Sequence, residues 1–449
     1  MKTLLRSAAI AAVLSGSGAA IAADNSTGVD GRWDAVLTRN GVAIPFRLDI
    51  KGDGSTLQGV FYDGFKPYDG TTSASFQDGK LVLNIEHYLT TINATLDNGK
   101  LTGTVVTQNR ESGAQYGFLA TRHVDTAAAA ADAPSIAGTW VIPLDTPSSK
   151  GEKAFRLVVQ QTGADVAAAI LRIDGDTGSY SGTYKDGKWV LSHFDGGRPG
   201  VIVVTPKADG TLDVQQQVDR PGAAQAATAT NAYSTGATPD GRYASVLTAY
   251  RQEVAQAKGL PAPDDFLAHT TARDPNENFT FNFPDVNGKL VSNDDPRFKG
   301  KVVLAIVTGT WCPNCHDEAQ YLVQLDKKYR DRGLAIVALD FEEPEQQGSL
   351  ARERAFVKQY GVKYTYLIAG APSEMWEKVP QLNHLDTWPA TIFIGRDDKV
   401  KAVHSGFASP ASGEFNTQLK QEFTARIEKL LAEKVSTNEE RTATPPPHG

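Results

Sequence analysis

Residues 28–220 carry one stretch of sequence twice, and this repeat limits what the first half of the chain can fold into. Residues 31–33 (Gly-Arg-Trp) match residues 138–140 (Gly-Thr-Trp), and residues 78–83 (Asp-Gly-Lys-Leu-Val-Leu) match residues 186–191 (Asp-Gly-Lys-Trp-Val-Leu). The offset between matching residues stays nearly constant along the copies. Self-similarity at a fixed period indicates one structural unit that is used twice.

Each copy consists of short runs that alternate apolar and polar residues and end at turn-forming pairs. The pairs are Asp-Gly or Asn-Gly, at residues 63–64, 78–79, 98–99 and 209–210. Such pairs between alternating runs are typical of tight antiparallel β-hairpins. The sequence therefore predicts two repeated all-β domains over residues 28–123 and 136–220, each a barrel or a sandwich of about seven or eight strands.

After the repeat the pattern changes twice. Residues 221–262 are predicted to be a linker with a connecting helix over residues 242–257, where apolar residues recur every three or four positions. From residue 263 strands alternate with helices, which predicts an α/β domain over residues 263–434. The apolar run at residues 301–307 is expected to be its buried central strand. The tail over residues 435–449, which is rich in proline, is predicted to be disordered.

The N-terminus has the pattern of a secretory signal peptide. Lys2 and Arg6 supply the positive start, residues 8–14 are mostly apolar, and residues 20–22 (Ala-Ile-Ala) fit a cleavage site. We therefore expect export to the periplasm and removal of residues 1–22. No later stretch is long and apolar enough to predict a transmembrane segment. The formal net charge of −7 does not favour nucleic acid as a partner.

The only two cysteines of the chain, Cys312 and Cys315, are separated by Pro313 and Asn314. A disulfide across so short a loop adds little stability, so redox chemistry or cofactor attachment explains the pair better than a structural role. The pair follows the predicted buried strand and opens a predicted helix. Unpaired N–H groups and the helix dipole stabilise a thiolate at such a position. Pro313 suits the first position of the helix.

The string Trp311-Cys312-Pro313-Asn314-Cys315, placed after a buried strand, resembles the active site of the thioredoxin superfamily. Residues 283–289 and 298–301 resemble the entry to its exported TlpA/ResA-like branch. Residues 388–391 (Trp-Pro-Ala-Thr) resemble the loop that carries the cis-proline of the superfamily. The resemblance implies a C-terminal thioredoxin-like domain and a thiol–disulfide oxidoreductase that uses a redox-active Cys312–Cys315 disulfide and no other cofactor.

The same resemblance implies partners and further site residues. The substrates would be client proteins with disulfides, and an extracytoplasmic electron donor or acceptor would reset the cysteine pair. Pro389 would be the cis residue beside the disulfide. The client groove would be lined by Trp311, Pro313, Asn314, Trp388, Gly406 and Phe407. Trp388 departs from the small or β-branched residue that most relatives have before the cis-proline.

One catalytic group remains to be located, because Ile306 stands where thioredoxins usually carry a buried acid. In the TlpA/ResA-like branch a glutamate follows the next strand, and the resemblance assigns this role to Glu343 first and to Glu342 second. A half-buried carboxylate near the sulfurs would have a raised pKa and could act as the general base for Cys315.

Other interpretations of the motif stay open at this point. Residues 312–316 also form a Cys-x-x-Cys-His string, which is the attachment signal for c-type haem. The strand–motif–helix context disfavours haem and predicts that His316 is an exposed residue of the first helical turn. A zinc site would crowd three ligands onto one turn, and Gly309 stands where a peroxiredoxin would have threonine. As a separate alternative, the β repeats would bind a ligand or partner, with the redox domain in an accessory role.

Overall fold

The computed structural model describes residues 28–39, 41–108, 114–124, 133–216 and 246–433. The predicted signal peptide and disordered tail lie outside the described residues, as do residues 221–245 of the predicted linker. The described chain forms two antiparallel sheets followed by an α/β domain. The prediction of a large all-β N-terminal region before an α/β domain is thus confirmed.

The first sheet is a meander of nine antiparallel strands. The strands are β1 Gly31–Arg39, β2 Val42–Lys51, β3 Gln58–Asp63, β4 Lys66–Gly70, β5 Ser73–Gln77, β6 Lys80–Ile85, β7 Thr90–Asp97, β8 Lys100–Thr107 and β9 Ala114–Arg122. They pair in the order β4-β3-β2-β1-β9-β8-β7-β6-β5. Because β4 and β5 form the two edges, this sheet is a half-barrel whose inward side chains form one hydrophobic core.

The second sheet closes on itself. Its strands are β10 Gly138–Pro143, β11 Ala154–Thr162, β12 Asp165–Arg172, β13 Gly175–Asp176, β14 Tyr180–Lys185, β15 Lys188–His193, β16 Gly200–Pro206, β17 Leu212–Gln216 and β18 Leu247–Arg251. Strand β11 pairs with both β10 and β12, which closes eight strands into a barrel, and the short β13 pairs with the end of β12. The sequence had left barrel and sandwich open for this unit.

Within the described residues, the predicted helix over residues 242–257 is right only for its second half and wrong for its first half. Residues 247–251 form strand β18, and the helix, α1, spans only Gln252–Ala257. Strand β18 pairs with β10 on one side and β17 on the other. Without β18, the edges of β10 and β17 would be unpaired. The backbone hydrogen bonds that close the barrel therefore stabilise a strand here more than the spacing of the apolar residues stabilises a helix.

The matching Gly-x-Trp triplets of the sequence have the same surroundings in both sheets. The indole N–H groups of Trp33 and Trp140 each donate to the backbone carbonyl four residues earlier, at 2.9 Å. Arg122 lies over the Trp33 ring at 4.1 Å from its centroid, and Arg251 lies over the Trp140 ring at 3.9 Å. The two sheets therefore begin with one local arrangement although only the second closes.

The C-terminal domain is built on a five-stranded mixed sheet. Its sheet strands are β22 Val302–Thr308, β23 Leu334–Phe341, β24 Thr365–Gly370, β26 Ala390–Ile394 and β27 Val400–Ser405, in the order β24-β23-β22-β26-β27. Smaller strands are β19 Thr271–Ala272, β20 Asn282–Pro284, β21 Leu290–Ser292 and β25 Leu382–Asn383. The helices are α2 Pro313–Tyr329, α3 Pro344–Gln347, α4 Ala351–Tyr360, α5 Met375–Lys378 and α6 Glu414–Ala432.

Strand β22 lies at the centre of this sheet and is buried along its whole length. Leu304 and Ile306 belong to the core that contains residues of α2 and α6. Val303 and Val307 belong to the core on the opposite face of the sheet. A strand that is buried on both faces needs a continuous apolar run, which is why the run at residues 301–307 predicted the central strand. None of the described helices has the length and apolar character that crossing a membrane requires.

The buried position of Trp140 leads to a stability prediction. Trp140→Ala removes a ring that is packed in the barrel core and has Arg251 over one face. We expect the barrel to lose about 3–5 kcal/mol of unfolding free energy, measured by urea denaturation of the full chain. The control Val190→Ala truncates a barrel side chain that is 43% exposed and should change the value by less than about 0.5 kcal/mol. Equal losses in the two variants would contradict the packing role of Trp140.

Candidate active site

The two cysteines lie between the end of strand β22 and the first turn of helix α2. Cys312 is the N-cap of α2, and its sulfur accepts a hydrogen bond from the Cys315 backbone N–H at 3.3 Å. Cys315 lies in the first helical turn. Both side chains are buried free thiols, and Cys312 is 4% exposed. The arrangement directs the N-terminus of α2 at the Cys312 sulfur.

The second thiol is held in its protonated form. Burial, followed by the hydrogen bond and the charge of Cys312, raises the pKa of Cys315 well above its ordinary value. The Thr308 side chain opposes this shift only in part. The two sulfurs therefore differ in kind: Cys312 receives a hydrogen bond that stabilises a negative charge, whereas Cys315 is shielded from water one turn deeper.

The loop before strand β26 meets the cysteines from the other side. The Trp388–Pro389 peptide bond is cis, and the Trp388 carbonyl lies 3.4 Å from the Cys312 sulfur. The Trp388 ring packs edge-on against Trp311, with the ring centroids 5.1 Å apart. The Trp311 indole N–H in turn donates to the Phe341 carbonyl at 3.0 Å. The structure thus places the cis Trp388–Pro389 bond beside the Cys312 sulfur and packs the two predicted groove tryptophans against each other.

A buried carboxyl that the sequence analysis missed lies one helical turn after Cys315. Glu318 is 1% exposed and accepts a hydrogen bond from the Thr391 hydroxyl. Burial raises the pKa of Glu318 to about 8, and Thr391 opposes the shift. Thr391 pairs across the sheet with Ile306, the position that lacked the expected acid. The available signal was the spacing of three residues, which places Glu318 on the helix face of Cys315.

The acids that the sequence favoured have another partner. The carboxylate of Glu343 accepts a hydrogen bond from Arg352 at 2.9 Å, and Glu342 forms a closer ion pair with the same guanidinium. Arg352 also donates to the Thr310 hydroxyl at 3.0 Å, two residues before Cys312. The predicted half-buried Glu343 and its neighbour are thus members of a buried ion cluster that holds the segment leading into the motif. A role for Glu343 as base stays a prediction.

Comparisons with known proteins concern this C-terminal part of the chain. The Redoxin family model matches residues 270–419. Thioredoxin-like protein YneN of Bacillus subtilis is 31% identical over 158 residues, which cover 35% of this chain and 76% of that protein. The chain belongs to the thioredoxin superfamily.

Other relatives carry the name thiol-disulfide oxidoreductase ResA. The ResA of Bacillus anthracis is 32% identical over 116 residues, which cover 26% of this chain and 60% of that protein. The chain thus spans about 60% of the length of these curated relatives. A solved thioredoxin family protein of Chlorobium tepidum, described as a thiol:disulfide interchange protein, is 22% identical. That match covers 36% of this chain and 100% of the other, with a TM-score of 0.29.

His316, which was predicted to be exposed, is fully buried in this thioredoxin-like domain. Its Nδ1 lies 2.9 Å from the Tyr360 hydroxyl and its Nε2 lies 2.7 Å from the Thr310 carbonyl. The imidazole stacks on Tyr88 of the first sheet, with the centroids 4.3 Å apart. Burial lowers the pKa of His316 well below its ordinary value, so the ring is neutral. The prediction failed because another domain covers this face of α2.

Phe407, predicted to line the client groove, is 1% exposed. Its backbone N–H donates to the Asp174 carbonyl of the barrel at 3.2 Å. The side chain of Asn314 donates to the same carbonyl at 3.1 Å. Two of the predicted groove residues therefore contact the barrel, because the β region folds onto the thioredoxin-like domain at this site.

The raised pKa of Glu318 predicts a pH dependence of stability. The folded pKa of about 8 exceeds the ordinary value of 4.5, so its contribution is full below about pH 4.5 and is lost as the pH rises through 8. Relative to Glu318→Gln, the wild-type chain should lose up to about 4 kcal/mol over this range, measured by denaturant unfolding at several pH values. Parallel curves for the two proteins would contradict a buried, neutral Glu318.

Proposed function

We propose that this protein is an exported thiol–disulfide oxidoreductase that reduces disulfides of client proteins through Cys312 and Cys315. The observation that carries the proposal is the pairing of an N-cap thiol beside a cis-proline with a second, buried thiol one turn deeper. The ResA relatives, which bear the name thiol-disulfide oxidoreductase, support the same activity. The signal-like residues 1–22 support export to the periplasm.

The geometry supports a two-step exchange. The Cys312 thiolate attacks one sulfur of a client disulfide, the client S–S bond breaks, and the released client thiolate takes up a proton. Cys315 then loses its proton and attacks Cys312, which releases the second client thiolate and leaves a Cys312–Cys315 disulfide. Two electrons have passed to the client. An extracytoplasmic dithiol donor restores the pair through the same exchange in reverse.

Glu318 is our candidate for the proton acceptor of Cys315. It lies on the same helix face one turn away, and its pKa of about 8 lies close to working pH. A carboxyl in this condition can take a proton from Cys315 as that thiol attacks and can return it when the pair is reduced. Glu343 remains a second candidate, although its carboxylate is already engaged in an ion pair with Arg352 at 2.9 Å.

We also propose that the two β sheets are two versions of one structural unit, and that their role is to cover the redox site of the thioredoxin-like domain. The equivalent surroundings of Trp33 and Trp140 support the common unit. The β region contacts His316, Asn314 and Phe407. These contacts favour a role at the redox site over a separate ligand-binding function.

Substitution of each cysteine tests the proposed order of attack. Cys315→Ala should accumulate a covalent complex with insulin, the model client, because the mixed disulfide on Cys312 cannot be resolved. Cys312→Ser and the double variant should form no complex and should not reduce insulin. Non-reducing gels and intact-mass spectrometry measure the complex, and dithiothreitol should release it. A Cys312→Ser protein that still reduces insulin would contradict the assignment of Cys312 as the attacking thiol.

The direction of transfer is set by the reduction potential of the pair. We expect a value near that of thioredoxin, about −270 mV, measured by thiol labelling across graded redox buffers. A value near about −120 mV would mean that the protein oxidises its clients, and the proposed direction would be reversed.

A further inference from the structure

Residues 173–176 of the barrel, here called the barrel loop, lie against the cysteine motif. The Asp174 carbonyl of this loop accepts hydrogen bonds from the Phe407 backbone N–H at 3.2 Å and from the Asn314 side chain at 3.1 Å. Gly175 and Phe407 form a parallel β-bridge. The loop thus adds backbone to the thioredoxin-like domain in the way that an extended peptide adds to an exposed edge.

The approach of the two backbones is close enough to require glycine on both sides. A Cβ on Gly175 would lie 2.2 Å from the Phe407 carbonyl oxygen, and a Cβ on Gly406 would lie 2.2 Å from the Ile173 carbonyl oxygen. Both glycines have positive φ, +115° for Gly175 and +66° for Gly406. No client segment could occupy this edge while the barrel loop is present, because no space for a second backbone remains.

Side chains fasten the barrel loop at two points. The buried Asp176 carboxylate accepts hydrogen bonds from the Ser409 backbone N–H at 2.6 Å and from the Ser412 hydroxyl at 2.6 Å. Lys150 forms an ion pair with Asp174. The Lys150 ammonium also donates to the Asp386 carbonyl at 2.6 Å, two residues before Trp388. The loop is therefore tied to both sides of the predicted client groove.

Polar groups of the β region also contact helix α2 after the cysteine motif, at Asp317 and Gln320. Arg198 of the barrel donates to the Asp317 carboxylate at 2.9 Å, and Tyr68 of the first sheet donates to the same carboxylate. The Gln320 side chain donates to the Tyr68 hydroxyl at 3.0 Å. These ion pairs and hydrogen bonds can be exchanged for water when the domains separate.

We propose that the barrel loop is an internal occupant of the client groove, and that a protein client must displace it to reach Cys312. The proposal rests on the proposed function and names its substrate class. In the closed arrangement Cys312 reacts only with small disulfides and thiol reagents, whereas protein disulfides react after the β region has opened. The β region thereby selects the substrates of the thioredoxin-like domain.

Alkylation of Cys312 tests the occupancy independently of any reductase activity. The full chain with Cys315→Ala has Cys312 as its sole thiol, and its rates with N-ethylmaleimide and with a maleimide on a long polyethylene glycol chain are compared. Gly175→Ala should raise the ratio of the large-reagent rate to the small-reagent rate about tenfold, because the added Cβ drives the loop off Phe407. Asp176→Asn, which weakens the contact to Ser409 and Ser412, should raise the same ratio.

Matched controls separate opening from loss of folding. Gly187→Ala places a Cβ at a hairpin glycine of the same barrel with φ +81° and open space around it, and Asp165→Asn neutralises an exposed barrel carboxylate. Both controls should keep the wild-type ratio. Far-ultraviolet circular dichroism checks that all variants are folded. An unchanged ratio in folded Gly175→Ala and Asp176→Asn, or equal rates with the two reagents in the parent chain, would overturn the proposal.

A second measurement separates failure of this inference from failure of the proposed function. With both cysteines present, Gly175→Ala should reduce insulin several-fold faster than the parent chain but should reduce 5,5′-dithiobis(2-nitrobenzoic acid) at an unchanged rate. A chain that reduces neither substrate, with a size-dependent alkylation ratio, would refute the function and leave the occupancy standing. An altered alkylation ratio without any change in insulin reduction would overturn the selection of substrates.

Discussion

The N-terminus of helix α2 is the constraint on which the rest of the structure depends. It has to present the Cys312 sulfur to backbone N–H groups and keep Cys315 out of water. Both conditions are met because strand β22, which leads into the motif, is the central strand of the sheet and is buried along its whole length. The loop of the cis-proline, on the neighbouring strand β26, then closes over the first sulfur.

Holding this helix end requires charged groups in places from which water is excluded. Arg352 stands between Glu342 and Glu343, and Arg198 lies beside Asp317. Each guanidinium offsets part of the desolvation of its carboxylates through directed hydrogen bonds. Loss of one partner would leave a buried charge without compensation, so these clusters specify one arrangement of the segments around the motif more than they add net stability.

The β region completes the site instead of standing apart from it. Tyr88 of the first sheet stacks on His316, directly after the second cysteine, and Asp174 of the barrel bonds to Asn314 between the two cysteines. The reacting groups therefore lie in one domain, and the groups that cover them lie in two others. Such a division allows access to the sulfur and the reactivity of the sulfur to be set by different residues.

The sequence by itself determined the all-β first half, the start of a helix at Cys312 and the loop of Pro389, because turn pairs, buried apolar runs and short motifs are local patterns. Only the tertiary structure decided that residues 247–251 form a strand, which they do because β10 and β17 need a partner. It alone showed that His316 and Phe407 are buried, since the covering groups come from distant parts of the chain. Contacts between domains leave no periodicity in a single sequence, so such burial follows from the assembled fold.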